Sequence, residues 1–270
     1  MMASDLEIRP YSAEDIPALR ALWLECFEDE PMLVDSFFEL LPTMGSGLAA
    51  FCEGSIAGAA YVLDAELKIH GKITEKLGYI YAVGVTEQKR SQGIGEKLVK
   101  ACKAHCSERG IELVCTLPAS ASLYKWYEKT GGFHAAGHCR YKSVPAGRCV
   151  PGIEEISPRE YAERRERILS EKNYVNLPAG ALEFQGKLFK TYSGGFYAYR
   201  DGIACGYAEG DELLIKELLN DVPGFIPALC TKLGAKRASV RLGSSEGDPY
   251  IAACPPSLYP SDTVWDLTLD

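Results

Sequence analysis

The chain has 270 residues, 47% of them hydrophobic and 24% charged, with 29 Lys and Arg against 37 Asp and Glu and a formal net charge of −8. That length buries a sizeable core in two domains of ordinary size. The acidic balance excludes the basic face of a nucleic-acid binder and suits cationic small substrates such as amines. No apolar run reaches membrane-spanning length, and MMASDLEIRP lacks the regions of a signal peptide, so a cytoplasmic protein without a membrane partner is expected. The ten cysteines form no CxxC pair and several, such as Cys115, lie inside apolar runs, which predicts buried free thiols.

In chain order, Leu6 to Arg9 reads as a first strand, and Ser12 with Asp15 as the cap of a helix from Ala13 to Phe27. Ile16, Leu19, Leu22, Trp23 and Cys26 fall on one face of it. Pro31 to Leu41 is a second helix, expected to end at Pro42. Leu48 to Cys52 and Ile56 to Leu63 form a hairpin, and Glu66 to His70 is a further strand. Tyr79 to Val85 is a short apolar run of strand formers. After polar Thr86 to Lys89, the segment Arg90-Ser91-Gln92-Gly93-Ile94-Gly95 opens an amphipathic helix running to Glu108. Ile111 to Leu117 is apolar except at Glu112 and Thr116, as in a strand covered on both faces. A helix near Ser122 to Lys129 carries Tyr124, Trp126 and Tyr127, and Phe133 to Val144 is expected to supply the last strands of this half.

Pro145 to Pro151 reads as a linker. Beyond it, Ser157-Pro158-Arg159-Glu160 is a capping box that starts a helix to about Ser170. Gly195 to Tyr199, Ile203 to Ala208 and Leu213 to Leu218 are strands, Phe225 to Leu233 a helix and Ala238 to Leu242 a strand. The halves rhyme: the caps Ser12 and Ser157, and the hairpins at Gly54-Ser55-Ile56-Ala57 and Asp201-Gly202-Ile203-Ala204, recur at nearly the same spacing. This points to a diverged duplication whose second copy has no counterpart of Arg90 to Gly95.

Glycines at 93 and 95 let the backbone approach an anion, and the first N–H groups of the helix have no intrahelical partner. They suit a phosphate or pyrophosphate, with Arg90, Lys89 and Lys97 adding charge. GxxxxGK[ST] is absent, and a GxGxxG fingerprint fails because Leu98 stands where the third glycine belongs.

What remains is Arg-x-x-Gly-x-Gly after an apolar strand, followed downstream by WYEKTGGF, and here the sequence resembles the GNAT superfamily of acyl-CoA-dependent N-acyltransferases. The resemblance covers about Leu6 to Tyr141. It implies an α/β (α+β) fold, a mixed and mostly antiparallel central sheet flanked by helices. The domains would be 1–145, binding acyl-CoA and catalysing, and 151–270, a smaller degenerate GNAT-like copy that shapes the acceptor pocket. Arg90, Gly93 and Gly95 match the pyrophosphate motif, with Ser91, Gln92 and Ile94 inside it. The resemblance further implies that Val83, Gly84 and Val85 pair through their backbone with pantetheine. Tyr127 matches the general acid toward the departing thiolate, Tyr124 one turn away is the substitute, and Ser120 stands where the family often carries asparagine. A terminal carboxylate, here Asp270, reaches the site in the related enhanced intracellular survival family.

The activity so implied is transfer of an acetyl group from acetyl-CoA to a primary amine of a small molecule or peptide, by direct attack. Acetyl-CoA is then co-substrate, with no metal; His134 and His138 share a strand face but read as structural. Glu75 and Glu87 are candidate bases that read more simply as solvated charges. A homodimer is a conceivable assembly. The alternative is a non-catalytic acyl-CoA-binding or regulatory module.

Overall fold

The computed structural model describes residues 6–266, 268 and 269, which divide by their contacts into two compact units. Asp270 lies outside the described residues. The first unit comprises the chain up to Glu66, Lys76–Ala136 and Ile251–Tyr259; the second comprises Leu67–Glu75, Gly137–Tyr250 and the chain from Pro260. The expected linker at 145–151 thus falls within the second unit, and a division into contiguous domains 1–145 and 151–270 stays a proposal.

The first unit runs β1 (Leu6–Pro10), α1 (Ile16–Cys26), α2 (Pro31–Met44), β2 (Gly45–Cys52), most of β3 (Ser55–Ile69), most of β4 (Ile73–Val85), α3 (Ile94–Glu108), β5 (Leu113–Thr116) and α4 (Ala121–Gly131). The strands lie in that order, β1 to β3 antiparallel and β4 parallel to β5. The Ser12 N–H donates to Asp15 Oδ2 at 2.7 Å, the cap expected there, but a 3-10 turn at Ala13–Asp15 precedes the helix proper. Pro42 does not end α2. It sits in the last turn, where the N–H it lacks costs one bond, and the helix stops three residues later at Gly45. β3 fuses two expected strands. The core joins Leu48, Ala60 and Val62 to Ile80, Ile94, Leu98, Val114 and Phe133.

The second unit contains most of β6 (His134–Pro145), then β7 (Glu154–Ile156), α5 (Pro158–Ile168), β8 (Tyr174–Asn176), α6 (Ala179–Thr191), β9 (Gly195–Tyr199), β10 (Gly202–Glu209), β11 (Glu212–Leu219), α7 (Phe225–Leu233), β12 (Arg237–Gly243) and the start of β13 (Asp248–Cys254). Its strand order is β7-β9-β10-β11-β12-β6, again antiparallel except for one parallel pair, β11 with β12. Strand, two helices, three strands, helix, strand is therefore the order from β1 to β5 and, apart from short β8, from β7 to β12.

One expectation is corrected. Phe133 to Val144 does not complete the first half: β6 pairs from Cys139 to Pro145 with β12, and β5 is flanked instead by the end of β13, Ala252 to Cys254. The reason lies in the side chains. Every residue of β5 is buried, and Ala252 and Ala253, at 1% and 0% exposure, fit beside it. Arg140 to Ser143 are exposed and could not.

Candidate functional site

β4 and β5 stay paired from Leu77↔Leu113 to Ile80↔Thr116 and no further. Two residues on, Ala82 takes φ 48, in the left-handed region that a side chain rarely adopts, and bends β4. Val83, Gly84 and Val85 thus lie past the last pair with β5. Gly84 is buried beneath α1: a Cβ there would stand 3.1 Å from Cys26 Sγ. The Cys26 thiol donates to the Val85 carbonyl at 3.5 Å, and burial raises its pKa against the opposing pull of Arg90. Arg90 Nε donates to the same carbonyl at 3.1 Å, so part of the role assigned to Arg90 is to close the end of β4.

The turn that follows is built for an open helix start. Ser91 and Gly93 have φ 61 and 78, and a Cβ on Gly93 would meet nothing within 4 Å, so glycine is needed there for its dihedral angle. The first helical bond of α3 runs from the Lys97 N–H to the Gly93 carbonyl at 3.1 Å. The N–H groups of Ile94, Gly95 and Glu96 precede it and have no helical acceptor. Ser91, Gln92 and Gly93 are exposed, whereas the Ile94 side chain belongs to the core. Ile94 thus anchors the loop and offers at most its backbone. Gly95 lies against Trp126, whose ring would stand 3.5 Å from a Cβ at that position, an ordinary contact.

α4 carries the aromatic motif. Ser120 Oγ accepts from the Leu123 N–H at 3.4 Å and so caps this helix. Tyr127 is 7% exposed and wedged edge-on between Trp126 and Phe133, with ring centroids 4.8 and 5.6 Å away. Burial raises its pKa, against a smaller opposing effect of the nearby Thr116 hydroxyl. Thr116 is the last residue of β5 with a partner on β4, so the Tyr127 hydroxyl that it influences lies near the parting of the two strands. Tyr124 is half-buried beside the same core. Gly132, with φ 69, is the C-cap of α4, so the extra glycine is absorbed beyond Tyr127.

Two features escaped the sequence reading. Trp23, Phe37, Phe38, Tyr61 and Tyr81 form an aromatic cluster from α1, α2, β3 and β4; the period of α1 and α2 announced a buried face but not its neighbours. Glu25 accepts from the Glu87 N–H at 2.6 Å and ties the end of α1 to the turn after β4. Among the described residues no group of three or more His, Cys, Asp or Glu is placed to hold a metal; His134 and His138 stand on β6. The candidate base Glu75 stands at the start of β4 in the second unit, and Glu87 is exposed.

The second unit carries an altered version of the same plan. α7 also starts from a left-handed glycine, Gly224 with φ 84, but Phe225 and Ile226 are buried and Pro227 has no N–H to offer. Just past the last parallel pair, Ile215↔Val240, stands Glu217, fully buried. It accepts from Tyr161 Oη at 2.7 Å and Arg165 Nε at 3.0 Å. A buried ion pair fills that place.

Residues 7–131 match the acetyltransferase (GNAT) domain family. Solved structures share the fold over nearly the whole chain. A GCN5-related N-acetyltransferase from Kribbella flavida superposes with a TM-score of 0.68 at 15% identity, over 93% of this chain and 71% of its own. A conserved protein of unknown function from Enterococcus faecalis, described as a probable N-acyltransferase, gives 0.71 at 15% identity over 93% and 72%. A putative acetyltransferase from Pyrococcus horikoshii gives 0.61 at 18% over 94% and 90%. No curated protein sequence matches. Residues 7–131 thus match the acetyltransferase (GNAT) domain, and the chain shares the fold of these solved structures.

Proposed function

We propose that the protein is an acyl-CoA-dependent N-acetyltransferase that moves an acetyl group from acetyl-CoA to a primary amine of a small molecule or peptide. One observation carries the reading: the Tyr127 hydroxyl lies near the parting of β4 and β5, in the same unit as the open start of α3. The N–H groups at the head of α3, with Ser91, Gln92 and Gly93, suit a pyrophosphate. The run Val83 to Val85, past the last pair with β5, suits an amide-bearing arm such as pantetheine on the side that faced β5.

The neutral amine attacks the thioester carbonyl carbon and passes its proton to water. The carbon–sulfur bond then breaks, the electron pair leaves on sulfur, and the Tyr127 phenolic proton moves to it. Burial keeps Tyr127 protonated at neutral pH, the state an acid needs. The second unit reads as a degenerate copy, supported by its repeated plan and by the loss of helix N–H groups at Pro227. It would contribute to acceptor choice rather than to chemistry.

Tyr127→Phe is expected to lower kcat about 100-fold with acetyl-CoA affinity unchanged in calorimetry; an unaltered kcat removes Tyr127 from the role. The edge-on packing of Tyr127 favours a second reading, a non-catalytic acyl-CoA-binding module. Acetyl-CoA binding without transfer to any of a broad panel of amines would establish it.

A further inference from the structure

A cysteine and a lysine meet at the end of β13. Of the ten free thiols seven are buried, Cys149 is exposed, and Cys26 and Cys254 are half-buried. Cys26 donates to a backbone carbonyl. Cys254 instead accepts, from Lys103 Nζ of α3 at 3.3 Å. The same ammonium donates to the Gly131 carbonyl at 2.5 Å and stands 5.5 Å from the centre of the Phe133 ring. These contacts hold it in place, and of the three groups it meets only the sulfur can take a full negative charge. Lys103 thus stands as counter-ion to the thiolate, the form of cysteine that reacts. Both residues belong to the first unit, and the backbone of Cys254 is fixed by pairing with Val114 of β5.

We propose that Lys103 and Cys254 form a peroxide-responsive site, in which the lysine amine captures the oxidised cysteine as a reversible sulfur–nitrogen link. In the first step the Cys254 thiolate attacks one oxygen of hydrogen peroxide, the O–O bond breaks, and the departing hydroxide takes a proton from the Lys103 ammonium. Sulfur is oxidised by two electrons to a sulfenic acid, peroxide is reduced to water, and a neutral amine is left beside the product. In the second step the amine nitrogen attacks the sulfur, the S–O bond breaks, and the surplus proton on nitrogen leaves with the hydroxide as water. Sulfenic acids condense in this way with a nitrogen at hand. Two molecules of an external thiol reverse the link, returning thiol and amine and forming their own disulfide. The flexible lysine stem supplies the movement, since β5 holds β13. Once made, the link fastens the strand that flanks β5 to α3. The site is independent of the role assigned to Tyr127.

The test treats the full chain, reduced and then freed of reductant, with hydrogen peroxide at neutral pH, blocks the remaining thiols with iodoacetamide and maps tryptic peptides by mass spectrometry. Expected is a peptide joining Lys103 to Cys254, uncut after Lys103, lighter by two hydrogens than its reduced parts and lost on treatment with dithiothreitol. Lys103→Met should abolish that peptide and slow the oxidation of Cys254 about 10-fold, with Cys149 oxidised at the wild-type rate. Lys103→Arg keeps a charge at position 103 but offers no amine; it should oxidise at close to the wild-type rate and stop at a sulfenic acid that dimedone traps. Melting temperatures show which variants fold, and the arginine variant carries the test if the methionine variant does not. A disulfide from Cys254 to another thiol in place of the linked peptide, an unchanged oxidation rate in Lys103→Met, a linked peptide in Lys103→Arg, or oxidation of Cys149 with Cys254 left reduced overturns the proposal.

Discussion

Gly93 shows what a single residue contributes to the proposed donor site. Its Cβ position is open, so Gly93→Ala meets no neighbour; the whole effect comes from φ 78, a region that costs an L side chain about 1–2 kcal/mol. The variant should melt a few degrees lower and bind acetyl-CoA more weakly as the turn relaxes toward negative φ, with kcat at saturation little changed. An unchanged dissociation constant in calorimetry would detach this turn from the donor. At this scale the sequence offers local spacing, which sets Arg90, Gly93 and Gly95 together at the approach to α3. Thr116 is the opposite case, visible only as a polar exception in an apolar strand, because its strand neighbours Ile80 and Ala252 are remote in sequence. Arg90, Ser120 and Gly84 were recognisable by position, yet they also close a strand, cap a helix and admit α1, contacts that no motif spells out.

Among elements, the C-terminal segment is held to the second unit by buried polar contacts. Arg241 Nη2 donates to the Asp266 carbonyl at 2.6 Å, and Gln185 Nε2 to the Thr268 carbonyl at 2.6 Å. The Asp266 carboxyl is raised from 3.8 to about 6, first by burial and then by Glu217, against Arg241 and Arg165. An acid whose folded pKa exceeds its unfolded one favours the fold in its protonated form. Its contribution is complete below the unfolded value and fades as pH rises to about 6. Wild-type melting temperature should therefore fall between pH 4.5 and 7, and Asp266→Asn should flatten that slope; parallel slopes would assign the pH dependence elsewhere. Elements with clear punctuation were legible: α5 follows Ser157, whose Oγ accepts from the Glu160 N–H at 3.1 Å. α6 was not. Its cap is Pro178 with no side-chain bond, and Gly186 interrupts it because Pro158 of α5 packs there, 3.1 Å from where a Cβ would be. β13 was hidden for another reason, since a strand is defined by its partner and β5 is remote in sequence.

For the whole molecule, the spacing of caps and hairpins prompted the expectation of a duplication, whereas the exchange of last strands left no mark in the sequence. β6 follows the first set of elements yet pairs with β12, and β13 follows the second yet flanks β5. A chain ending at Pro145 would lack the neighbour of β5 and expose the edge of a fully buried strand. Such a fragment should aggregate or melt without cooperativity, and co-expression with residues 146–270 should recover a soluble complex. A cooperative, soluble fragment would show that another segment can cover β5.

The exchanged strands also set an order of events during synthesis. Leu113 to Thr116 leave the ribosome long before Ala252 to Cys254 exist, so the first unit cannot close its sheet while the chain is being made. Domains that are contiguous in sequence fold one after another as they emerge; here Leu113 to Thr116 wait for a partner strand made far later. The nascent protein therefore carries an unsatisfied strand edge through most of its translation, and its dependence on holding chaperones should exceed that of a protein of equal length whose halves are each self-contained.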